Sequence, residues 1–170
     1  MMIPQKVADR LNLQVKYEFY SYWLYQQMAF NLEMMGLKVF AQWFTAQGAE
    51  EQMHAMKIAE YLLDQDAEVK LLALEEPPHR WDSVEAIVQA AVDHEIEVTK
   101  NISECVDYAV EAKDHATHNF LIWFVNEQVE EVATAKELLS MVKMARTPDQ
   151  ILLLENRIMD LRAPAGGEQA

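Results

Sequence analysis

Glu51 and His54 stand three residues apart in the stretch Ala49-Glu50-Glu51-Gln52-Met53-His54-Ala55-Met56, and both interrupt an apolar pattern of helical period. Residues three or four apart on a helix are neighbours on one face. Glu51 also lies seven residues after Phe44 and seven before Ile58, which places it and His54 on the inward stripe. Three further segments repeat the anomaly. Glu18 falls between Val15 and Tyr22 with Tyr25 on the same face, Glu95 falls among Val88, Ala91, Val98 and Ile102, and Glu127 and Glu131 align with Phe120, Phe124 and Leu138. Carboxylates carried inward on four helices cannot all ionise in a low-dielectric core, because each uncompensated charge there is strongly destabilising. Two divalent cations would neutralise four of them, and a neutral His54 would add a nitrogen ligand at no charge cost. A single Glu-x-x-His pair can be accidental, but inward acids at mid-height on four separate helices point to a dinuclear metal site. Oxygen-rich ligation with one imidazole suits iron or manganese better than structural zinc, which prefers thiolate and histidine; zinc remains a competitor.

The elements that must position these residues can be read from caps and breakers. A first helix is predicted from Pro4 to Met35, with Pro4 in its first turn and Gly36 as the left-handed residue that closes it. A second is predicted from Lys38 to Gln65. The stretch DAEVKLLALEEPPHRW then breaks the pattern, because Pro77-Pro78 cannot continue a helix, and reads as a long crossover. Asp82-Ser83-Val84-Glu85 resembles a capping box opening a third helix that runs to Ala112, and Asp114 caps a fourth from His115 to Met144. Thr147-Pro148-Asp149-Gln150 opens a short helix, ILLLENRIMDL, and the closing APAGGEQA is expected to fray. The four long helices would each span about 40 Å at 1.5 Å per residue. The expected fold is therefore all-α, a four-helix bundle of the ferritin-like kind with one long crossover between the second and third helices and a short fifth C-terminal helix, in a single domain over residues 1–170.

Composition narrows the partners. Acidic residues number 28 against 14 basic, a formal net charge of -14, which disfavours nucleic acid and anionic membranes and favours cations. Without a functional site, the same acidity would simply be a solvated surface. No run approaches the roughly 18 apolar residues of a membrane span, and the N-terminal stretch has no long apolar segment of the signal-peptide type. The single cysteine, Cys105, cannot pair within the chain and reads as a packing residue, so a cytoplasmic location is expected.

Taken together, Glu18, Tyr25, Glu51-x-x-His54, Glu95 and the Asn126–Glu131 run NEQVEE resemble bacterial non-haem ferritin over nearly the whole chain. The resemblance implies a first iron position at Glu18, Glu51 and His54, and a second at Glu51, Glu95 and Glu131, with Glu51 bridging. It further implies a third iron position at Glu50, Glu127 and Glu130, which would explain the doubled acid of the opening stretch. By the same resemblance the activity is ferroxidase, oxidising Fe(II) to Fe(III) with O2 or H2O2 and storing a ferric oxyhydroxide mineral inside a homo-oligomeric cage, a 24-mer. Tyr25 and Trp123 would be electron donors or, alternatively, aromatic packing. Asp114, His115 and His118 fall where three-fold pores are lined in ferritin cages, or are ordinary surface residues; His79 and His94 receive no role. Two departures stand out. Thr134 follows Glu131 where symmetric relatives carry a second Glu-x-x-His, leaving the second position all carboxylate and its iron looser. Gln52 holds the place of the haem-ligating methionine of bacterioferritin, so no haem is expected and Met53 and Met56 are read as packing residues. The alternatives are a non-storing diiron oxidoreductase or peroxidase on the same bundle, and a helical scaffold whose acids solvate a partner groove.

Overall fold

A computed structural model describes residues 3–161; the segment 163–170, expected to fray, lies outside them. The described chain forms α1 (Gln5–Met34), α2 (Lys38–Asp64), α3 (Val84–Glu111), α4 (His115–Met144) and α5 (Pro148–Leu154), followed by a 3-10 turn at Ile158–Leu161. This is the expected all-α bundle. Helix ends follow local chemistry with some displacements. Gly36 closes α1 at φ 81°, and Asp66 and Lys113 adopt the same left-handed geometry after α2 and α3 without a glycine. Pro4 sits just outside α1 rather than in its first turn: its backbone is extended (ψ 141°), and its carbonyl accepts from Val7 and Ala8. The cap of α3 is Ser83, not Asp82. Extended backbone at Ser83 aims its Oγ at the N–H of Ala86, 3.1 Å away, so the helix starts one residue later than the Asp82 box implied.

The helix expected over Ile151–Leu161 divides. Bonds of the i→i−3 type at Glu155, Asn156 and Arg157 tighten the chain into a turn. That turn buries Ile158 and brings Glu155 Oε1 to 2.8 Å from the N–H of Val39 and 3.3 Å from that of Phe40. The N-terminus of α2, whose Leu37 offers no side-chain acceptor, is thus capped from the far end of the chain.

Side-chain packing sets the topology. One apolar cluster joins Leu24–Leu32 of α1, the start of α2 through Phe44, Ile87–Val92 at the start of α3, and Ala135–Val142 at the end of α4. The other joins Val7–Val15, Ile58 and Leu62, Val98–Ala109, and Leu121 with Phe124. Each of the four long helices therefore contributes one half to each cluster, α2 runs antiparallel to α1, and α2 and α3 run parallel. The crossover over residues 66–83 makes that parallel pair possible, and α1 holds it down. Buried Asn12 donates to the Glu68 carbonyl (2.9 Å) and accepts from the Lys70 N–H (2.6 Å), while Asn31 donates to the His79 carbonyl at 2.9 Å. These side chains satisfy backbone groups that a loop laid against a helix would otherwise leave unpaired. Between the two apolar clusters lies a layer that neither fills.

Candidate metal centre

That layer is where the inward acids meet. Glu18 lies between Val15 and Leu24, Glu51 between Phe44 and Ala55, and Glu95 between Val92 and Val98; all three side chains are about 1% exposed. Ligand atoms of Glu18, Glu51 and His54 come within 4.8 Å of one another, as do those of His54, Glu127 and Glu131. Glu50, Glu95 and Glu130 stand outside these two trios. Glu95 adjoins them through the charges of Glu51 and Glu131, and Glu50 and Glu130 both act on Glu127. On α4 the inward position expected of Glu127 belongs to its neighbour: Gln128 is 4% exposed, whereas Glu127 is half-buried and Glu130 is exposed.

Neutral donors hold the carboxylates unequally. Gln14 donates to Glu18 Oε1 at 2.8 Å, and Gln47 donates to Glu131 Oε2 at 2.6 Å. Glu95 accepts from the Tyr25 hydroxyl at Oε1 and from Gln128 at Oε2, the latter at 3.1 Å. By contrast, Glu18 Oε2 and both oxygens of Glu51 are buried with no hydrogen-bond partner. His54 Nδ1, 3.5 Å from Glu51 Oε2, is at the outer edge of contact. An orphaned carboxylate oxygen in a dry core is costly, and the same lone pairs are ready ligands for a hard cation. The donor set of oxygens plus one imidazole fits iron.

Electrostatics agree with that reading. Burial, then the Glu51 charge, pushes the Glu18 carboxyl well above its usual range. Glu51 is raised in the same way by burial and by the Glu95 and Glu131 charges. Burial and the Glu95 and Glu50 charges push Glu131 up to about 8. Glu127 is raised by partial burial, and the Tyr25 hydroxyl is pushed well above its usual range by burial and then by Glu95. Without cations this layer retains protons; cations and protons compete for it.

Aromatic rings wall the layer. Tyr25 is fully buried against Phe44 and His94, at centroid separations of 5.9 Å from each. His94, given no role from sequence, places Nε2 2.7 Å from Ser21 Oγ, and burial pulls its pKa down. Trp123 is edge-on to His54 at 5.4 Å and carries the Lys57 ammonium 4.2 Å from its ring centroid. Met53 and Met56 are 60% and 46% exposed, which corrects their reading as packing residues: both fall on the side of α2 turned away from the clusters. Asp114 caps α4 through Thr117, and His115 is exposed while His118 is half-buried. Cys105 is buried with its thiol pushed up to about 12, an inert packing group. Three glutamines, Gln14, Gln47 and Gln128, were missed by the sequence reading. The available signal was their position: Gln14 and Gln47 each fall four residues before an inward acid, and Gln128 three before Glu131.

Comparison with known proteins bears on what this layer does. The Ferritin-like domain family model matches residues 8–145. A bacterial non-heme ferritin of Bacteroides fragilis is 35% identical over 144 residues, covering 85% of this chain and 91% of that protein. The open pore ferritin of the hyperthermophilic archaeon Archaeoglobus fulgidus superposes with a TM-score of 0.89 at 41% identity, covering 95% of this chain and 99% of that one. A humanized archaeal ferritin superposes with a TM-score of 0.91 at 35% identity, covering 96% and 99%.

Proposed function

The chain belongs to the ferritin family, and from that premise we infer that the mid-bundle carboxylate layer is where it handles iron. The protein is a ferroxidase and an iron store: Fe(II) is its substrate, and Fe(III) is what it keeps. The observation that carries the assignment of the site is the buried Glu18, Glu51 and His54 trio with three carboxylate oxygens lacking a hydrogen-bond partner.

In this reading one Fe(II) binds Glu18, Glu51 and His54, and a second binds Glu51, Glu95 and Glu131, with Glu51 shared. Glu50, Glu127 and Glu130 form a third position beside them. Glu51 suits a shared ligand because neither of its oxygens is committed elsewhere. Hard anionic oxygens favour Fe(III) over Fe(II), which eases loss of an electron from each ion. Two Fe(II) supply two electrons, enough to reduce O2 with two protons to H2O2, or H2O2 with two protons to two waters. Tyr25, hydrogen-bonded to Glu95, orients that carboxylate and is a candidate for a further electron.

The chain acts as one ferritin-like unit over residues 1–170, assembled with copies of itself into a cage of two dozen subunits in the cytoplasm; no described helix is long and apolar enough to cross a membrane. Aerobic loading with Fe(II), followed by size exclusion, tests the whole reading. Hundreds of irons should co-elute with a large shell. A monomer or dimer carrying two irons per subunit would replace storage by a soluble diiron oxidoreductase.

A further inference from the structure

The four central carboxylates differ in how many oxygens the protein has already engaged, and the difference is built by glutamines. Glu95 has both oxygens engaged, by Tyr25 and Gln128; Glu18 and Glu131 have one each, by Gln14 and Gln47; Glu51 has none. Gln14 is fully buried and Gln47 is 4% exposed, so neither amide can exchange its partner for bulk water. A buried amide bonded to a carboxylate restricts that carboxylate's rotamer, because leaving its N–H unpaired is costly.

We propose that Gln14 and Gln47 are positioning residues, each holding one carboxylate for one of the two cations: Gln14 through Glu18 for the first, Gln47 through Glu131 for the second. The two are anchored differently. Gln14 lies one turn before Glu18 on the same helix and is itself held, since its Oε1 accepts from Arg10 Nη1 at 3.3 Å. Arg10 in turn donates to the Asn101 carbonyl at 2.6 Å, so α3 braces the α1 carboxylate through two side chains. Gln47 lies one turn before Glu51 but reaches across to α4 instead. It therefore leaves Glu51 without a donor and restrains Glu131, the acid whose position three residues on is filled by Thr134 and not by a second histidine. With no second histidine at that position, the second cation depends on a carboxylate that a single amide aims.

This inference rests on the dinuclear reading above, and cation binding without turnover separates the two. Metal-stripped protein in its native assembly is titrated anaerobically with Co(II), whose visible absorption reports each ligand set, alongside the Gln47→Met and Gln14→Met variants. Loss of a ligand's hydrogen-bond partner weakens metal affinity about 10- to 100-fold. Gln47→Met should weaken the second Co(II) by that factor and leave the first within about twofold, and Gln14→Met should do the reverse. The step each variant spares is its own control for folding. Two intact steps that ignore both substitutions, or that weaken together in each variant, overturn the positioning roles. A wild-type protein that takes up no Co(II) pair at all overturns the dinuclear reading along with them.

Discussion

Replacing Glu131 by glutamine should make the metal-free protein more stable and the iron-handling protein defective. The carboxyl is held up to about 8 by burial and by the Glu95 and Glu50 charges, against an ordinary 4.5. A folded-state value above the unfolded one means that the folded state holds the proton more tightly. The stabilisation is complete below pH 4.5 and is lost as pH rises through about 8, after which the curve flattens. At 1.36 kcal/mol per pH unit the full span corresponds to about 5 kcal/mol per subunit, with about 2 kcal/mol already lost at pH 6. Glu95 shares the repulsion and relaxation shares the cost, so a realised difference on the order of 2 to 5 kcal/mol is expected. Glutamine keeps the shape and still accepts from Gln47, while the charge is gone. The assay is thermal unfolding of chelator-stripped wild type and Glu131→Gln from pH 5 to 9, repeated with Mn(II). The wild type should lose stability with rising pH and regain it with Mn(II); the variant should be flatter in pH, more stable than wild type at pH 9 without metal, and gain less from Mn(II). A variant that is no more stable than wild type at pH 9 in the absence of metal would refute the argument that this layer is strained without cations.

Other expectations follow from the same geometry. Glu51→Ala removes the carboxylate whose oxygens are both uncommitted, and should slow the initial appearance of ferric absorbance by at least about 100-fold, a loss of roughly 2.7 kcal/mol of barrier lowering. Anaerobic Fe(II) at 100 times its dissociation constant should stabilise the wild type by about 2.7 kcal/mol, seen as a rise in Tm that a chelator reverses. Tyr25→Phe takes the donor from Glu95 Oε1 and should abolish any transient tyrosyl signal in freeze-quenched electron paramagnetic resonance during oxidation; persistence of an identical signal would move that role elsewhere. Asn12→Ala unpins the crossover at Glu68 and Lys70, and limited proteolysis should then cut within residues 66–83 faster than in the wild type.

Glu18, Glu51, His54 and Glu95 were visible in the sequence for one reason: a charged residue on an apolar stripe of helical period has no bland explanation once four helices show one at the same height. The helices themselves, the crossover and most caps were legible on similarly local grounds, because proline, glycine, Asp114 and Thr147 act within a turn of where they stand. Periodicity is coarser than one residue, which is why it marked Glu127 as inward and missed Gln128 beside it. What a side chain faces is fixed by its own helix, but what it touches is fixed by another. Gln14 finds an acid on its own helix, whereas Gln47, at the same spacing from an acid, crosses to α4, and Gln128 crosses to α3. The cap that Glu155 provides to α2 from more than a hundred residues away has the same character. Hydrogen bonds act over about 3 Å, and only the packed bundle brings distant segments within that range. The sequence alone therefore determined that acids converge, and the tertiary structure decided which of their oxygens are left free.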